Sequence, residues 1–216
     1  MLWSLGVSST YHRRVLKPSY PIYTARLTLR PYVLDDFGDL YAIQSNPEVT
    51  RYLYWEARDE PAVRADLQAK MAASEIREVG DRLFLAVVWR EVERVVGGVT
   101  LTWLSREDGG GEIGYVFNPE FAGHGLATEA ASALLRLAFT LPVDGGLGLH
   151  RVIGRLDARN TASAKVLERL GLRREAHFVE NEYVKGEWTD EVVYAILESE
   201  WLTRRVSPPR SRASRA

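Results

Sequence analysis

Two separated segments of the chain hold residues of types that take part in chemistry: the first has a spacing that suits anion binding, and the second contains a hydroxyl and a carboxylate. The first is the glycine loop Gly123-His124-Gly125, which follows the apolar run 113–117 and leads directly into a helical pattern. Such a junction presents unpaired backbone N–H groups to an anion, and glycine lets the ligand approach the backbone closely. Neither lysine nor arginine lies between Val116 and Leu135, so backbone dipoles would hold that anion. Spacing alone is equally compatible with an ordinary strand–turn–helix connection.

The second segment begins at Asn160 and carries groups that accept or donate protons. Ser163 lies three residues after Asn160, within the first turn of a predicted helix that Gly171 closes. Farther along, Glu182 opens the run 182–190, which reads E-Y-V-K-G-E-W-T-D. A carboxylate can act as a general base and a hydroxyl as a weak general acid. Each residue also has a structural interpretation: helix N-cap for Asn160, first-turn residue for Ser163 and solvated strand end for Glu182.

Together these segments resemble the Gcn5-related N-acetyltransferase (GNAT) family. The loop 123–130 resembles the acyl-CoA-binding loop of that family, whose pattern is Q/R-x-x-G-x-G/A. Gly125 and Ala127 match the glycine and alanine positions, whereas Ala122 replaces the usual Gln or Arg, which removes one side-chain contact. The segment 156–172 resembles the N-x-x-A/S-x-x-x-Y-x-x-x-G-F segment of the same family.

Within this second segment, Asn160 and Ser163 match the family pattern, and Leu167 replaces the tyrosine that protonates the leaving thiolate in many members. The ribosomal-protein N-terminal acetyltransferase (RimJ/RimL-like) branch commonly has an aliphatic residue there and a serine at the position of Ser163. The run 182–190 also resembles that branch, which ends G-x-W-x-D before a strand. The resemblance covers residues 24–197, nearly the whole chain.

The resemblance implies a site for acetyl-CoA and roles for individual residues. It implies that Glu182 accepts the proton of the amine and that Ser163 acts as the acid. A backbone N–H of the strand 115–117 would polarise the thioester carbonyl. The residues implied in cofactor binding are Val116, Phe117, Gly123, His124, Gly125, Leu126, Ala127, Thr128, Asn160 and Ser163. The aromatic residues expected to wall the acceptor entrance are Tyr52, Tyr54, Trp55, Trp103, Tyr115, Tyr183 and Trp188.

The acceptor that the resemblance favours is the N-terminal α-amine of a protein or peptide. Such an amine, with a pKa of about 7.7–8.0, is neutral on the order of a tenth of the time at pH 7. A lysine amine, with a pKa of about 10.4, is neutral less than about 0.1% of the time, so the α-amine needs only a modest base such as Glu182. A polyamine or an aminoglycoside-like compound stays open as the alternative acceptor. A catalytically silent acyl-CoA-binding protein is a further alternative.

Other ligand classes fit the sequence less well. A Rossmann-type module needs a third glycine where Thr128 stands, and a P-loop needs a Gly-Lys-Ser/Thr that does not follow the loop. The four histidines lie far apart, so no metal site is expected. The chain has no cysteine, which suits a reducing cytoplasm. A homodimer is compatible with the family resemblance.

Composition and charge describe an ordinary globular protein and exclude several partners. The chain has 216 residues, 46% of them hydrophobic and 26% charged, with a formal net charge of −1. This balance provides no general basic field to attract nucleic acid. No apolar run reaches the roughly 18 residues that a membrane span needs, so we expect a cytoplasmic protein. Nucleic-acid contact is restricted to the tail 204–216, which has five arginines and is expected to be disordered.

The elements that position these residues are predicted to form one α/β domain over residues 21–203, after an N-terminal extension of residues 1–20. We expect the GNAT fold, a mixed and mostly antiparallel sheet of six or seven strands flanked by helices. Three apolar runs predict an antiparallel meander, at 83–89, 95–103 and 112–117. Crossover helices are predicted at 123–141 and 160–170, and a last strand at 191–197.

Overall fold

The computed structural model describes residues 15–206, which form one mixed sheet of eight strands in the order β1-β2-β3-β4-β5-β6-β8-β7. The strands are β1 (Ile22–Tyr23), β2 (Leu27–Arg30), β3 (Arg82–Trp89), β4 (Arg94–Ser105), β5 (Gly110–Phe117), β6 (Arg151–Asp157), β7 (Arg173–Val184) and β8 (Glu187–Leu197). The helices are α1 (Phe37–Gln44), α2 (Pro47–Thr50), α3 (Glu60–Ala72), α4 (Leu126–Phe139), α5 (Thr161–Leu170) and α6 (Glu198–Val206). Among the described helices, none combines the length and apolar character needed to cross a membrane.

The connections follow the predicted topology. Neighbouring strands pair antiparallel except β5 and β6, which pair in parallel through the crossover helix α4. Helix α5 links β6 to β7, which run in the same direction with β8 inserted between them. The predicted GNAT fold, with α4 and α5 as its crossovers, is confirmed.

The sheet has more strands than the six or seven expected, because β7 and the two-residue β1 add to the number. None of the residues of β7 is buried, so this strand lacks the alternation of apolar and polar residues that predicts a half-buried strand. It forms an edge of the sheet by pairing with β8. Strand formation there depends on a long-range partner, and this could not be predicted from the local pattern.

Helix α4 forms because its apolar residues recur every three or four positions and cover the sheet. It begins after Gly125 and ends at Phe139, where Thr140 adopts extended backbone ahead of Pro142. The buried residues of α4 are Leu126, Ala130, Ala131, Ala133, Leu134, Leu135, Ala138 and Phe139. This packing fixes the direction of the helix, and therefore the place of its N-terminus at the carboxyl end of β5.

Both ends of the described chain pack more closely than the predicted boundaries indicate. Leu16, within the predicted extension, is fully buried and exchanges backbone hydrogen bonds with Ile76. Helix α6 continues across the predicted boundary at residue 203, and its Trp201 packs against Phe139 of α4. Residues 1–14 and most of the predicted basic tail lie outside the described residues.

An early separation of β5 from β6 shapes the site. The two strands pair only from Gly110 to Glu112, against residues 151–153. Beyond this point β5 continues beside β4 to Phe117, while β6 continues beside β8 to Asp157. The sheet therefore opens into a wedge between the last residues of β5 and of β6.

Candidate active site

Two cavities open on either side of the wedge and meet inside it. The loop cavity, of about 1020 Å³, lies between the end of β5, the glycine loop and α5. The sheet cavity, of about 510 Å³, lies on the face of strands β3 to β6 beside α1 and α3. Two molecules that enter from opposite sides would meet at their junction, as a group transfer requires. The residues that line both cavities are Tyr52, Leu53, Tyr115, Val116, Asn160 and Ser163.

The glycine loop leads into a helix N-terminus that no side chain caps. Gly123 and Gly125 adopt left-handed backbone, with φ of 84° and 74°, and the space beside Gly123 holds no protein atom within 4 Å. Backbone hydrogen bonds of α4 start at the N–H of Glu129, so the N–H groups of residues 126–128 precede the first helical bond. The buried hydroxyl of Thr128 also lacks a hydrogen-bond partner in the described part of the chain. These donors converge on a space that suits an anionic group.

Two residues just before β2 hold this loop in place. Arg26 donates from Nε to Glu129 at 2.8 Å and from Nη1 to the carbonyl of His124 at 2.9 Å. Thr24 donates from Oγ1 to the same carboxylate at 2.5 Å. Burial opposes ionisation of Glu129, but hydrogen bonds from Thr24 and Arg26 outweigh it and hold the pKa of Glu129 below its usual value. Sequence reasoning missed this clamp because Arg26 and Glu129 are 103 positions apart.

At the junction of the cavities, Ser163 and Tyr115 are joined by two hydrogen bonds. Ser163 Oγ donates to Tyr115 Oη at 2.9 Å, and Tyr115 Oη donates to the carbonyl of Ser163 at 2.8 Å. Burial raises the pKa of Tyr115 to about 12, so its hydroxyl keeps its proton at neutral pH. Asn160 accepts from the N–H of Ser163 at 3.0 Å and thereby caps α5. The Ser163 hydroxyl is therefore held in one orientation.

Leu167, which replaces the family tyrosine, is a packing residue. It is fully buried and lies against Gly154 of β6, where an added Cβ would come within 2.9 Å of the leucine. A leucine side chain cannot donate a proton. The hydroxyl groups that line the junction are instead those of Tyr52, Tyr115 and Ser163.

The carboxylates that line the sheet cavity are each paired with a basic side chain. Burial opposes ionisation of Asp66, but its basic and amide neighbours hold its pKa below the usual value. A carboxylate paired in this way has less capacity to bind a further cation. The pairs are Asp66 with Arg58 at 2.9 Å and Lys70 at 3.2 Å, Glu112 with Arg155 at 2.7 Å, and Asp157 with Arg159 at 2.7 Å.

A bulge in β7 sets the position of Glu182. The register of β7 against β8 shifts between Phe178 and Glu182. Inside this bulge Glu180 has a left-handed φ of 47°, and its N–H donates to Asp190 Oδ1 at 2.9 Å. His177 Nε2 lies 2.7 Å from the other carboxylate oxygen of Asp190, so this histidine holds the bulge. Bulges of this kind redirect side chains beside active sites.

Glu182 lines a recess that adjoins the junction. The junction residues Tyr52 and Leu53 line the same recess, as does Tyr54. Glu182 forms no ion pair with any residue that the structure describes. Burial of the Tyr54 hydroxyl, with its hydrogen bond to Glu182, raises the pKa of Tyr54 above its ordinary value. A carboxylate without a basic partner is thus available beside the junction.

Glu191, within β8, is a second acid without a close basic partner. It is 6% exposed, and its Oε2 accepts from Asn181 at 3.0 Å. Its buried Oε1 has no hydrogen-bond partner in the described range, and Arg155 Nε lies 4.0 Å away. Burial, and then the nearby Glu182, raise the pKa of Glu191. Sequence reasoning missed Glu191 because only tertiary packing distinguishes it from other strand-end acids.

The structure brings all ten residues predicted to bind the cofactor into the lining of the loop cavity. His124 is exposed, and its ring centroid lies 5.1 Å from that of Trp89. Lys165 and Arg169 of α5 also line this cavity, although the sequence indicated no basic side chain there. Four of the aromatic residues predicted to wall the acceptor entrance line the sheet cavity, namely Tyr52, Tyr54, Trp55 and Tyr115.

Three aromatic residues predicted at the acceptor entrance lie elsewhere. The prediction for Trp103 is wrong: its ring is fully buried, and its Nε1 donates to the carbonyl of Ser105 at 3.0 Å. Successive strand residues face opposite sides, so the neighbouring Thr102 lines the sheet cavity instead. Trp188 and Tyr183 pack together on the exposed β7–β8 hairpin, with ring centroids 5.3 Å apart, and line neither cavity.

Comparison with known proteins identifies the class that this fold and site define. A family model described as an acetyltransferase (GNAT) domain matches residues 26–173, so the chain belongs to the GNAT acetyltransferase family. It is 31% identical over 180 residues to the uncharacterized N-acetyltransferase YnaD of Bacillus subtilis, covering 83% of this chain and 98% of the relative. A crystal structure of a GNAT acetyltransferase from Bacillus anthracis matches with a TM-score of 0.73 and 30% identity, over 83% of this chain and 99% of that chain. The chain is an N-acetyltransferase, and acetyl-CoA supplies its acetyl group as a thioester.

Relatives whose names state a substrate differ from one another. The chain is 23% identical over 180 residues to a spermidine N(1)-acetyltransferase of Escherichia coli, covering 83% of this chain and 90% of the relative. It is 27% identical over 93 residues to the ribosomal protein uS5-alanine N-acetyltransferase of the same organism, covering 43% of this chain and 45% of the relative. These names support the GNAT family and do not single out the RimJ/RimL-like branch.

Proposed function

We propose that this acetyltransferase acts on the N-terminal α-amine of a protein or peptide. The observation that supports this proposal most directly is that the carboxylates of the sheet cavity are already paired with basic side chains, which favours an acceptor with a single amine. Each carboxylate lining the cavity has a basic partner within 3.2 Å, whereas nearby Glu182 and Glu191 have none that close. A polyamine needs several unpaired carboxylates spread along its length, whereas here Glu182 lines the recess beside the junction and Glu191 is buried near it.

Acetyl-CoA binds in the loop cavity, with its pyrophosphate at the backbone of residues 123–128. The unpaired N–H groups at the start of α4, the left-handed glycines and the unpartnered Thr128 hydroxyl support this assignment. The remaining predicted contacts come from Val116 and Phe117 on β5 and from Asn160 and Ser163 on α5. These residues line the same cavity up to the junction, where the acetyl group would meet the amine.

Glu182 is the base that accepts the proton of the amine. It adjoins the junction, has no basic partner, and lies beside the Tyr54 hydroxyl. An α-amine with a pKa of about 7.7–8.0 requires only such a modest base, because a useful fraction is already neutral at pH 7. Glu191, buried near Glu182, adds a second negative charge that favours an ammonium group at this end of the cavity.

Ser163 is the proton donor at the junction. Its hydroxyl lines both cavities, and its hydrogen bond to Tyr115 Oη fixes the side-chain orientation. A thiol leaving group with a pKa near 8.5 is a weak base, so a weak acid suffices. The raised pKa of Tyr115 keeps its phenol neutral beside the serine.

The alternative acceptor is a polyamine, which the name of the spermidine relative suggests. The two acceptors are separated by a screen that detects free thiol released from acetyl-CoA. One set of substrates contains short peptides that begin with Ser, Ala, Thr or Met, and the other contains spermidine and an aminoglycoside. Turnover of peptides with little turnover of spermidine is the expected result. Robust turnover of spermidine with none on any peptide would reverse the assignment of the acceptor and leave the acetyltransferase activity in place.

A further inference from the structure

Charge is distributed unevenly along the sheet cavity. At the junction end, the cavity adjoins the recess of Glu182, where acidic and basic side chains are both present: Asp157, Glu182 and Glu187 with Arg51, Arg159 and Lys185. The other end lies over β3, beside the last turns of α3. The charged residues that line that end are three cations and one carboxylate, namely Arg58, Lys70, Arg82 and Asp66. The end over β3, called the basic end below, therefore carries a net positive charge, whereas charges at the junction end balance.

The positive charge at the basic end exceeds what its surroundings neutralise. Asp66 is shared between Arg58 at 2.9 Å and Lys70 at 3.2 Å. Arg82 is exposed and forms no ion pair with any residue that the structure describes. The adjacent Asp81 is occupied by two backbone N–H groups of its own turn, at 2.8 and 3.0 Å. Three cations facing one carboxylate attract an anion into this end of the cavity.

The floor beside these cations carries hydroxyl groups. Thr102 of β4 pairs in register with Arg82 on one side and with Glu112 on the other. Thr100, two residues earlier on the same face, pairs with Phe84. Both threonines line the sheet cavity, and their hydroxyls form no hydrogen bond with another described residue. Hydroxyl donors next to cations are a combination that binds carboxylate or phosphate oxygens.

The spacing between the two ends matches a short stretch of peptide. Arg82 pairs with Thr102, which pairs with Glu112 of β5, so Arg82 lies two strand spacings across the sheet and three residues along it from the junction residue Tyr115, about 14 Å in all. In an extended peptide the third residue lies about 7 Å from the first, and its side chain extends a few ångströms farther. A peptide whose α-amine lies at the junction would therefore direct its third side chain toward the basic end, and the long side chain of Arg82 would cover the remaining distance.

We propose that the basic end of the sheet cavity binds an anionic group of the acceptor, a carboxylate or a phosphate, about two residues after the acetylated amine. This inference rests on the proposed function, since it assumes that the amine reaches the junction. Arg82 makes the decisive contact because it is the unpaired cation of the three. Lys70 and Arg58, held by Asp66, contribute charge at longer range.

The experiment compares amidated peptides that differ only at the third residue. The sequences begin Ser-Ala-X, with X as Asp, phosphoserine, Ala or Lys, and amidation removes the C-terminal carboxylate. Thiol release at saturating acetyl-CoA gives kcat/KM for each peptide. We expect wild type to prefer Asp over Ala by about fivefold, as one partly exposed charge pair allows, and to discriminate further against Lys. A phosphoserine peptide that exceeds the Asp peptide would assign the subsite to phosphate, and the reverse order would assign it to carboxylate.

Two substitutions at Arg82 and one matched control test the source of this preference. Arg82→Ala should remove most of the preference for the Asp peptide over the Ala peptide, and Arg82→Glu should make the Lys peptide the best substrate. Arg136→Ala, an exposed arginine of α4 outside both cavities, should keep the wild-type order. Thermal melting should be nearly the same for all three variants, because each site is exposed.

The outcomes separate this inference from the proposed function. Equal turnover of all four peptides by wild type, or an Asp preference that survives in Arg82→Glu, would overturn the anionic subsite while leaving the peptide acceptor intact. Turnover of spermidine with none on any peptide would instead remove the proposed function on which the inference rests. A reversal of preference in Arg82→Glu supports both.

Discussion

The two cavities that meet in the wedge recognise their ligands by different means. At the glycine loop, the loop cavity presents backbone N–H groups, left-handed glycines and a buried hydroxyl, and much of its wall comes from the contiguous segment 115–128. Arg51, Lys165 and Arg169 also line this cavity and add positive charge. The sheet cavity presents charged and aromatic side chains, which come mainly from β3, β5, β6, α3 and the segment 52–58. Backbone recognition depends little on side-chain identity, whereas charge recognition depends on which residues the fold brings together. The same fold can therefore keep one cofactor while its acceptor changes.

Substitution of the proposed base, Glu182, is expected to have the largest effect, and it should slow the reaction of the acceptor without changing the binding of acetyl-CoA. Glu182→Gln keeps the shape of the side chain but removes proton acceptance, so kcat should fall by about 10²–10⁴. KM for acetyl-CoA should stay close to the wild-type value, because the loop cavity is unchanged. Steady-state kinetics with a peptide acceptor measures both constants. Glu180→Gln, on the same hairpin, is the control, and a change confined to KM in Glu182→Gln would reduce this residue to a binding contact.

A blocked glycine loop should produce the complementary defect. Gly125→Val places a branched side chain on left-handed backbone beside the proposed phosphate position, so the Kd for acetyl-CoA should rise by at least about tenfold. Calorimetry measures this Kd. Gly80→Val is the matched control, since Gly80 has φ of 96°, lies outside both cavities, and should show similar strain with normal affinity. An unchanged Kd in Gly125→Val would remove the phosphate site from this loop.

The junction belongs to both cavities, and removal of the Ser163 hydroxyl there should lower activity by an intermediate amount. Ser163→Ala removes the proposed proton donor and its hydrogen bond to Tyr115, and we expect kcat to fall up to about tenfold, as one neutral hydrogen bond allows. KM for the two substrates should change little, because the role is exercised during the reaction. Tyr115→Phe, measured alongside, should lower kcat less than Ser163→Ala. The opposite order would assign proton donation to the phenol.

Arg26, which holds the glycine loop from just before β2, provides a test of whether the backbone site for acetyl-CoA depends on contacts from distant parts of the chain. Arg26→Ala removes the ion pair to Glu129 and the hydrogen bond to the carbonyl of His124, so the loop should open more readily. We expect a rise of about fivefold in the Kd for acetyl-CoA, with kcat nearly unchanged. Arg64→Ala removes an exposed pair with Glu60, neither of which lines either cavity, and should leave the Kd for acetyl-CoA as it is. Equal affinity in both variants would show that the loop holds its shape alone.

The smallest expected effect is on thermal stability, and it distinguishes the buried Glu191 from the proposed base Glu182 beside it. Burial raises the pKa of Glu191, so its ionisation disfavours the folded state at pH values above the unfolded pKa of about 4.3. The contribution of Glu191 to stability should therefore decrease as pH rises from the unfolded pKa through the raised folded pKa, and the difference between wild type and variant isolates it. Glu191→Gln removes this penalty and should raise Tm by a few degrees at pH 7, with little change near pH 4. An offset that is the same at every pH would contradict the role of ionisation.

The two cavities also differ in how far the sequence alone predicted them. The glycine loop and helix α4 could be predicted from the local sequence. Glycines followed by apolar residues at helical spacing indicate both the helix and the unpaired N–H groups at its start. The sheet cavity depends on register: one position along β4 separates the fully buried Trp103 from Thr102, which lines the cavity. Glu191 is distinguished by burial, which no local pattern shows.

Long-range pairing accounts for the remaining differences. β7 has no buried residue, and its bulge depends on Asp190, which follows in the next strand. The position of Glu182 could therefore not be deduced, although its proposed role followed from the family resemblance. Arg26 reaches Glu129 across the sheet, so its clamp on the loop becomes visible only in the folded chain.

The short pairing of β5 with β6 has a consequence for cooperativity. Three paired positions join β1–β5 to the three-stranded unit of β6, β8 and β7, and α4 packs against α5 across the same boundary. A unit joined by so few hydrogen bonds can open apart from the rest of the domain, and its amide hydrogens then exchange with solvent on its own timescale. A ligand that fills the wedge contacts both units and opposes that opening. During each turnover the two units are thus expected to be firmly coupled while ligand fills the wedge and loosely coupled after it leaves. Slower amide hydrogen exchange throughout β6 and β8 in the presence of acetyl-CoA would show this coupling.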